Sequence, residues 1–137
     1  MTIRSAKIED LVQIEKLLSV PEFRFPDGGF PVFDFLKIYL DEDFFLVAED
    51  NDKVVGAILG EQLKAGHTHI WYFVVDDNYR GQGVGGELYG EFEKRIKKRG
   101  VEWILSYVND NERSTNFYAK HGYNKGHKFV EMNKEIV

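Results

Sequence analysis

Ile70-Trp71-Tyr72-Phe73-Val74-Val75 runs directly into Asp76-Asp77-Asn78-Tyr79-Arg80-Gly81-Gln82-Gly83-Val84-Gly85-Gly86, and this stretch decides the fold. The first six residues are β-branched or aromatic with no polar alternation, the pattern of a buried strand. Asp76, Asp77 and Asn78 break the strand, and four glycines follow within six residues. Beyond them Leu88, Phe92 and Ile96, with Arg99 in line, recur at helical spacing. A strand, a glycine loop and a helix in that order make an anion site. The first helical turn leaves N–H groups without partners and adds partial positive charge. Glycines let a phosphate come close to those groups, and Arg80 adds a guanidinium at the mouth. The same glycines would equally serve a tight turn that binds nothing.

Three phosphate-binding patterns compete for these residues. Gly81-x-Gly83-x-x-Gly86 satisfies the dinucleotide fingerprint, and Glu102 lies near the expected distance downstream. The ribose-binding acid belongs at the end of the next strand, however, whereas Glu102 opens the run Trp103-Ile104-Leu105. The remaining chain is also too short for the second half of that fold. The nucleoside-triphosphate loop fails because no Lys-Ser or Lys-Thr pair follows the glycines. The third pattern, Arg/Gln-x-x-Gly-x-Gly/Ala, is met by Arg80, Gly83 and Gly85. Here the chain resembles the GCN5-related N-acetyltransferase (GNAT) superfamily, whose signature loop holds the pyrophosphate of acetyl-coenzyme A.

The whole chain sets the bounds. Its 137 residues suit one domain, 1–137, and the absence of cysteine excludes disulfides, thiolate metal sites and a thiol nucleophile. A net charge of −5 argues against a general nucleic-acid binder and is compatible with a cationic substrate. With no signal-peptide core and no apolar run of membrane length, the expectation is a cytoplasmic protein with no membrane association.

Taken in order, Thr2–Arg4 predicts a short edge strand and Ile8–Leu18 a helix. The helix carries Ile8, Leu11, Val12, Ile14, Glu15 and Leu18 as its stripe. Its opening, Ile3-Arg4-x-Ala6 with Glu9-Asp10-Leu11, also resembles the start of many GNAT chains. Pro21–Pro31 reads as a loop that carries Phe23, Phe25 and Phe30, either a satellite core or a wall of an acceptor pocket. A second helix is predicted over Val32–Leu40. Strands over Phe44–Ala48 and Val54–Leu59 are joined by the turn Glu49–Lys53, with Gly56 and Gly60 marking a bulge or a close approach. The strand His67–Val75, the loop helix Gly83–Arg99 and a buried strand Glu102–Val108 follow. The basic end of the loop helix suits its C-terminal dipole and reads as a solvated face rather than a nucleic-acid patch. A helix over Ser114–His121 is stopped by Gly122, and Tyr123 with Phe129–Asn133 predicts a closing hairpin.

Asn111-x-x-Ser114-x-x-Phe117-Tyr118-x-x-x-Gly122-Tyr123 is a second point of resemblance to GNAT proteins. Ser114 stands where alanine is frequent and Tyr123 where phenylalanine is frequent. The resemblance implies an α/β (α+β) fold with a mixed, mostly antiparallel central sheet flanked by helices. It further implies that Phe73, Val74 and Val75 lie along the pantetheine arm of acetyl-CoA, with the backbones of Phe73 and Val75 pairing to it as an added strand would. The segment Gly81, Gln82, Gly83, Val84, Gly85 and Gly86, with Arg80, would hold the pyrophosphate. Asn111 and Ser114 would flank the arm. Tyr118 would protonate the departing thiolate as general acid, a phenol of intrinsic pKa about 10 serving a thiol of about 8.5.

The acceptor amine must also lose a proton. Several GNAT proteins carry a glutamate in the strand before the loop, where this chain has Trp71-Tyr72-Phe73. Candidate bases are Glu61, His67 and His69, directly or through water. The two histidines lack a clear acidic third ligand, so no metal is expected. Phe23, Phe25, Phe30 and Tyr72 are the candidate acceptor pocket. The expected protein, monomer or homodimer, transfers acetyl from acetyl-CoA to a small-molecule or protein amine in a ternary complex. Two other readings stay open: a non-catalytic acyl-CoA sensor or scaffold of the same fold, and a small nucleotide-binding module.

Overall fold

The computed structural model describes residues 1–25, 27–40 and 42–136. They fall into two compact units, Met1–Tyr107 and Val108–Val137.

The first unit is built on a five-stranded sheet of order β1-β2-β3-β4-β5, formed by β1 (Thr2–Ser5), β2 (Phe45–Asp50), β3 (Lys53–Gln62), β4 (His67–Val75) and β5 (Trp103–Ser106). The first three pairings are antiparallel and β4·β5 is parallel, the mixed and mostly antiparallel sheet the sequence predicts. Asn51 and Asp52 turn the β2–β3 hairpin with φ of 49° and 64°. Two successive positive φ values make the hairpin turn whose twist matches its strands, and Asn and Asp tolerate that region best among residues with a side chain.

One face of the sheet receives α1 (Leu11–Leu18), which is preceded by a 3-10 turn over Ile8–Asp10, and α2 (Phe33–Lys37). Leu11, Ile14, Leu18 and Leu36 are buried there against Phe45, Val47, Ala57, Leu59 and Val74. Each such side chain contributes about 1.5–3 kcal/mol on leaving water. Ile8, Val12 and Glu15 drop out of the predicted stripe. Ile8 and Val12 are exposed, and the Glu15 carboxylate accepts the Phe33 N–H at 2.9 Å, closing the start of α2. That helix is five residues long rather than the predicted Val32–Leu40, and turns continue through Leu40.

The opposite face receives α3 (Val84–Lys98) through buried Val84, Leu88, Tyr89, Phe92 and Ile96. Gly60 explains why that approach is close: a Cβ there would lie 2.7 Å from the Phe92 ring. At Leu59/Gly60 the β3·β4 register shifts, Leu59 pairing with Tyr72 and Gly60 with Ile70, so Trp71 is the extra residue of a bulge. The glycine therefore marks both features its position predicted.

The sequence-predicted strand Glu102–Val108 is shorter, and it is not buried: Trp103 is 63% and Leu105 45% exposed. Its place at the sheet edge, paired with β4 alone, is the reason. In the second unit α4 (Glu112–Lys120) is present, but the closing hairpin is not. No strand forms among the described residues from Tyr123 to Ile136. Phe129, Val130 and Met132 are exposed there, leaving such a hairpin no buried face to stabilise it.

Candidate functional site

The loop between β4 and α3 is held open by its own polar groups. Asp76 Oδ1 accepts the Asn78 N–H at 2.9 Å, and Asp76 Oδ2 pairs with Lys53 at 3.1 Å. The Asn78 N–H and then Lys53 hold the Asp76 carboxyl below its usual range. A 3-10 turn spans Asp77–Tyr79, and Gln82 Nε2 donates back to the Asn78 carbonyl at 3.1 Å. Arg80 Nε lies 2.8 Å from Asp77 Oδ1 and 3.4 Å from the Val75 carbonyl, tying the guanidinium to the end of β4.

Gly81 and Gly83 take φ of 75° and 84°, a region that L side chains avoid. Gly83 is the N-cap of α3, and the Glu87 N–H is the residue that donates back to its carbonyl. Val84, Gly85 and Gly86 thus make up the first turn, ahead of that bond. A Cβ built at Gly81, Gly83 or Gly86 would meet nothing within 4 Å. At these three positions the backbone faces open space.

Upstream of the loop, the sheet forks. The β4·β5 ladder runs from His67↔Trp103 to Ile70↔Ser106 and stops, whereas β3 stays paired with β4 as far as Val75. Phe73, Val74 and Val75 all lie beyond the fork, on the side of the glycine loop. The bulged Trp71 sits directly at it.

Around the fork is a polar and aromatic cluster. Glu61 faces His69 across β3·β4, and Glu61 Oε1 accepts the Trp71 Nε1–H at 2.9 Å. Burial first, then the nearby Glu61 carboxylate, raise the Tyr39 pKa. Burial and the Glu61 charge likewise raise the Glu42 carboxyl. The Tyr72 phenol is pushed up to about 12, by burial and then by Tyr39. The His69 ring is buried and edge-on to Trp71 at 4.6 Å and to Tyr107 at 5.3 Å. Burial lowers its pKa, against opposing contributions from the Leu105 backbone and Glu61. Phe35 stands edge-on to Trp71 at 6.4 Å and to Tyr72 at 6.2 Å.

Of the candidate bases, Glu61 and His69 are therefore neighbours, while His67 is exposed at the start of β4. Of the candidate pocket residues, Phe23 packs edge-on to Tyr72 at 5.6 Å. Phe25 is 40% exposed and Phe30 lies under the Arg24 guanidinium, so neither shares that contact. Tyr39, Phe35 and Glu42 belong to the cluster yet carry no signal in spacing or motif. Phe35 comes from α2 itself, and Tyr39 and Glu42 come from the chain that follows it.

Within the second unit, the Asn111 side chain accepts the Ser114 N–H at 2.9 Å and caps α4. The Asn-x-x-Ser spacing fits that cap. Tyr118 packs edge-on to Phe117 at 5.8 Å and to Tyr123 at 5.0 Å.

The model of the acetyltransferase (GNAT) family matches residues 11–123. An acetyltransferase of Sodalis glossinidius is 33% identical over 103 residues, 74% of this chain and 71% of that protein. An acetyltransferase of Pectobacterium atrosepticum is 35% identical over 89 residues, 64% of this chain and 62% of that protein, so the match spans less than two thirds of its length. Among solved structures, a Bacillus halodurans transcriptional regulator superposes with a TM-score of 0.80 at 21% identity, covering 97% of this chain and 99% of that one. A Mycobacterium tuberculosis protein in complex with CoA and NLQ gives 0.78 at 20% identity, covering 96% and 76%. At these identities the structural likeness is one of fold. No helix among the described residues is long and apolar enough to cross a membrane.

Proposed function

The chain belongs to the acetyltransferase (GNAT) family, and on that premise we propose that it is a cytoplasmic N-acetyltransferase that moves acetyl from acetyl-CoA to a primary amine in a ternary complex. The observation that carries this reading is the glycine loop. Gly81 and Gly83 hold left-handed backbone at the start of a 15-residue helix, with open space where side chains would stand. In this reading the amides from Gly81 to Gly86, with Arg80, bind the pyrophosphate. The pantetheine arm runs along Phe73, Val74 and Val75, past the point where β5 leaves β4, and Asn111 and Ser114 border the groove. The CoA-bound structure of similar fold supports the choice of ligand.

The thioester then lies near the fork. The amine gives up a proton to Glu61, His69 or His67, directly or through water, and its lone pair attacks the thioester carbonyl. The C–S bond breaks, and Tyr118 supplies the proton that the departing thiolate takes. The nitrogen, positively charged after attack, sheds one further proton, which through solvent restores the Tyr118 phenol, and the product amide keeps its N–H. The proton first taken by the base passes to solvent. On this reading both compact units serve one domain, 1–137. A structural relative or two act on amines in their own right, among them the S18-alanine N-acetyltransferase of Escherichia coli.

Two measurements test the assignment. Acetyl-CoA should raise the melting temperature by several degrees where NAD and ATP do not, and a panel of primary amines should release free CoA from acetyl-CoA. Stabilisation by NAD alone would overturn the reading. The stretch Trp71–Val75 lacks a carboxylate, which favours one alternative: an acyl-CoA sensor of the same fold. Binding of acetyl-CoA without turnover on any amine would establish it.

A further inference from the structure

Asp76 is the joint between β4 and the glycine loop, and each of its polar groups has a partner. Its N–H donates to the Val55 carbonyl at 2.8 Å, and its own carbonyl accepts the Tyr79 N–H at 2.9 Å. One carboxylate oxygen accepts the Asn78 N–H at 2.9 Å, and the other faces the Lys53 ammonium at 3.1 Å. Lys53 belongs to a different part of the chain, the first residue of β3 just after the Asn51-Asp52 turn. Its ammonium also stands 5.5 Å from the centre of the Tyr79 ring, within the reach of a cation–π contact. Lys53 thus touches both ends of the 3-10 turn Asp77–Tyr79, the N-cap Asp76 and the last residue Tyr79, and Arg80 and Gly81 follow directly. The strand end that carries Lys53 does not need the charge. The β2·β3 ladder and the bond from the Val54 N–H to Gln13 Oε1 at 3.0 Å hold it in place. The ammonium therefore acts on the loop rather than on the sheet.

We propose that Lys53 is a positioning residue for the diphosphate of acetyl-CoA: through Asp76 and Tyr79 it fixes the turn from which Arg80 and the Gly81–Gly86 amides reach the ligand. This rests on the acetyltransferase reading and adds to it a side chain from a separate hairpin. Amides that are already in place bind an anion more tightly than amides that must first be ordered. Lys53 makes no contact with the ligand, because its charge is matched by Asp76. Its influence falls on the diphosphate half of acetyl-CoA and leaves the pantetheine half, set along Phe73–Val75 in this reading, unaffected.

Isothermal titration with two ligands tests the assignment. Lys53→Met keeps the stem and removes the charge, and it should weaken acetyl-CoA about three- to fivefold, the size expected of a pair whose lysine is 53% exposed. S-Acetylpantetheine lacks the diphosphate, so its affinity, read by displacement of acetyl-CoA, should not change. The melting temperature of the ligand-free protein should stay put, and Lys53→Arg should restore the affinity. Asp76→Asn retains an oxygen for the Asn78 N–H but loses the pair with Lys53. It should reproduce the loss, and the double variant should be no weaker than either single one. Unchanged acetyl-CoA affinity in Lys53→Met overturns the proposal, as does an equal loss for S-acetylpantetheine, a lowered melting temperature or a Lys53→Arg protein as weak as Lys53→Met. Tighter binding in Asp76→Asn, or additive losses in the double variant, would show Lys53 meeting the phosphates directly and would also overturn it. Failure of the parent protein to bind acetyl-CoA defeats the acetyltransferase reading itself, whereas failure of the variants to differ from a parent that binds defeats only this proposal.

Discussion

Gly60 and Phe92 meet without room for a methyl group: a Cβ on Gly60 would stand 2.7 Å from Cε2 and 3.0 Å from Cζ of a ring that is fully buried. Phe92 cannot give way, since it packs edge-on to Phe44 at 6.0 Å and against Tyr89 at 5.9 Å. Gly60→Ala is therefore expected to cost about 1–3 kcal/mol by overpacking, read as a lower urea midpoint at unchanged m-value. Full wild-type stability would mean that α3 can retreat from β3. The variant also sits beside the bulge, so altered Trp71 fluorescence should accompany the loss.

Gly83→Ala should weaken acetyl-CoA much more than it weakens the fold. The new methyl must adopt a φ of 84°, at a cost of about 1–2 kcal/mol, and it projects into the space proposed for the pyrophosphate. Isothermal titration should show at least a tenfold loss of affinity. Unchanged affinity would remove the phosphate from this loop.

Tyr118→Phe removes one hydroxyl and keeps the ring that packs on Phe117 and Tyr123. If Tyr118 is the general acid, kcat should fall by about 100-fold or more, with acetyl-CoA affinity preserved. A variant as active as the parent would reassign the proton donor.

Arg4 joins β1 to the start of α1 and to β2: its guanidinium bonds Asp10 at 2.7 and 2.8 Å and Glu49 at 2.5 Å. Burial alone would raise the Asp10 carboxyl, but Arg4 and the Lys7 N–H overcome it and hold it low. Asp10→Asn keeps an acceptor for Lys7 and loses the charge facing Arg4. A loss of about 2 kcal/mol is expected, below that of a fully buried pair because Arg4 retains Glu49. Denaturant titration measures it, and a neutral result would show the pair to be dispensable.

His69 makes stability depend on mild acid. Its folded-state pKa lies below the usual value because burial disfavours the imidazolium, so the unfolded chain binds the proton more readily. The resulting stability is complete above about pH 6.5 and is lost as pH falls through that value towards the folded pKa. The urea midpoint should drop between pH 7 and 5, and His69→Gln should flatten that slope. An unaltered slope would place the titration elsewhere.

How much of this was legible in the sequence follows the range over which each signal acts. The strand before the loop, the glycine loop itself and the helix at 3.6-residue spacing depend on neighbours a few residues away, and each could be read from the chain. Errors arose where burial decides. The predicted stripe of α1 took in Val12 and Glu15, the predicted β5 was taken as buried, and a hairpin was predicted over Phe129–Asn133, because apolar spacing cannot say which side another element will cover.

By itself the sequence determined the order of elements and the glycine loop, since turns, caps and alternation are written in adjacent residues. Only the tertiary structure brought Tyr39, Glu61 and Trp71 together. Their meeting depends on a register shift between β3 and β4 and on the path after α2. Packing sets both: Gly60 yields its space to Phe92, and Trp71 is left as the residue with no place in the ladder.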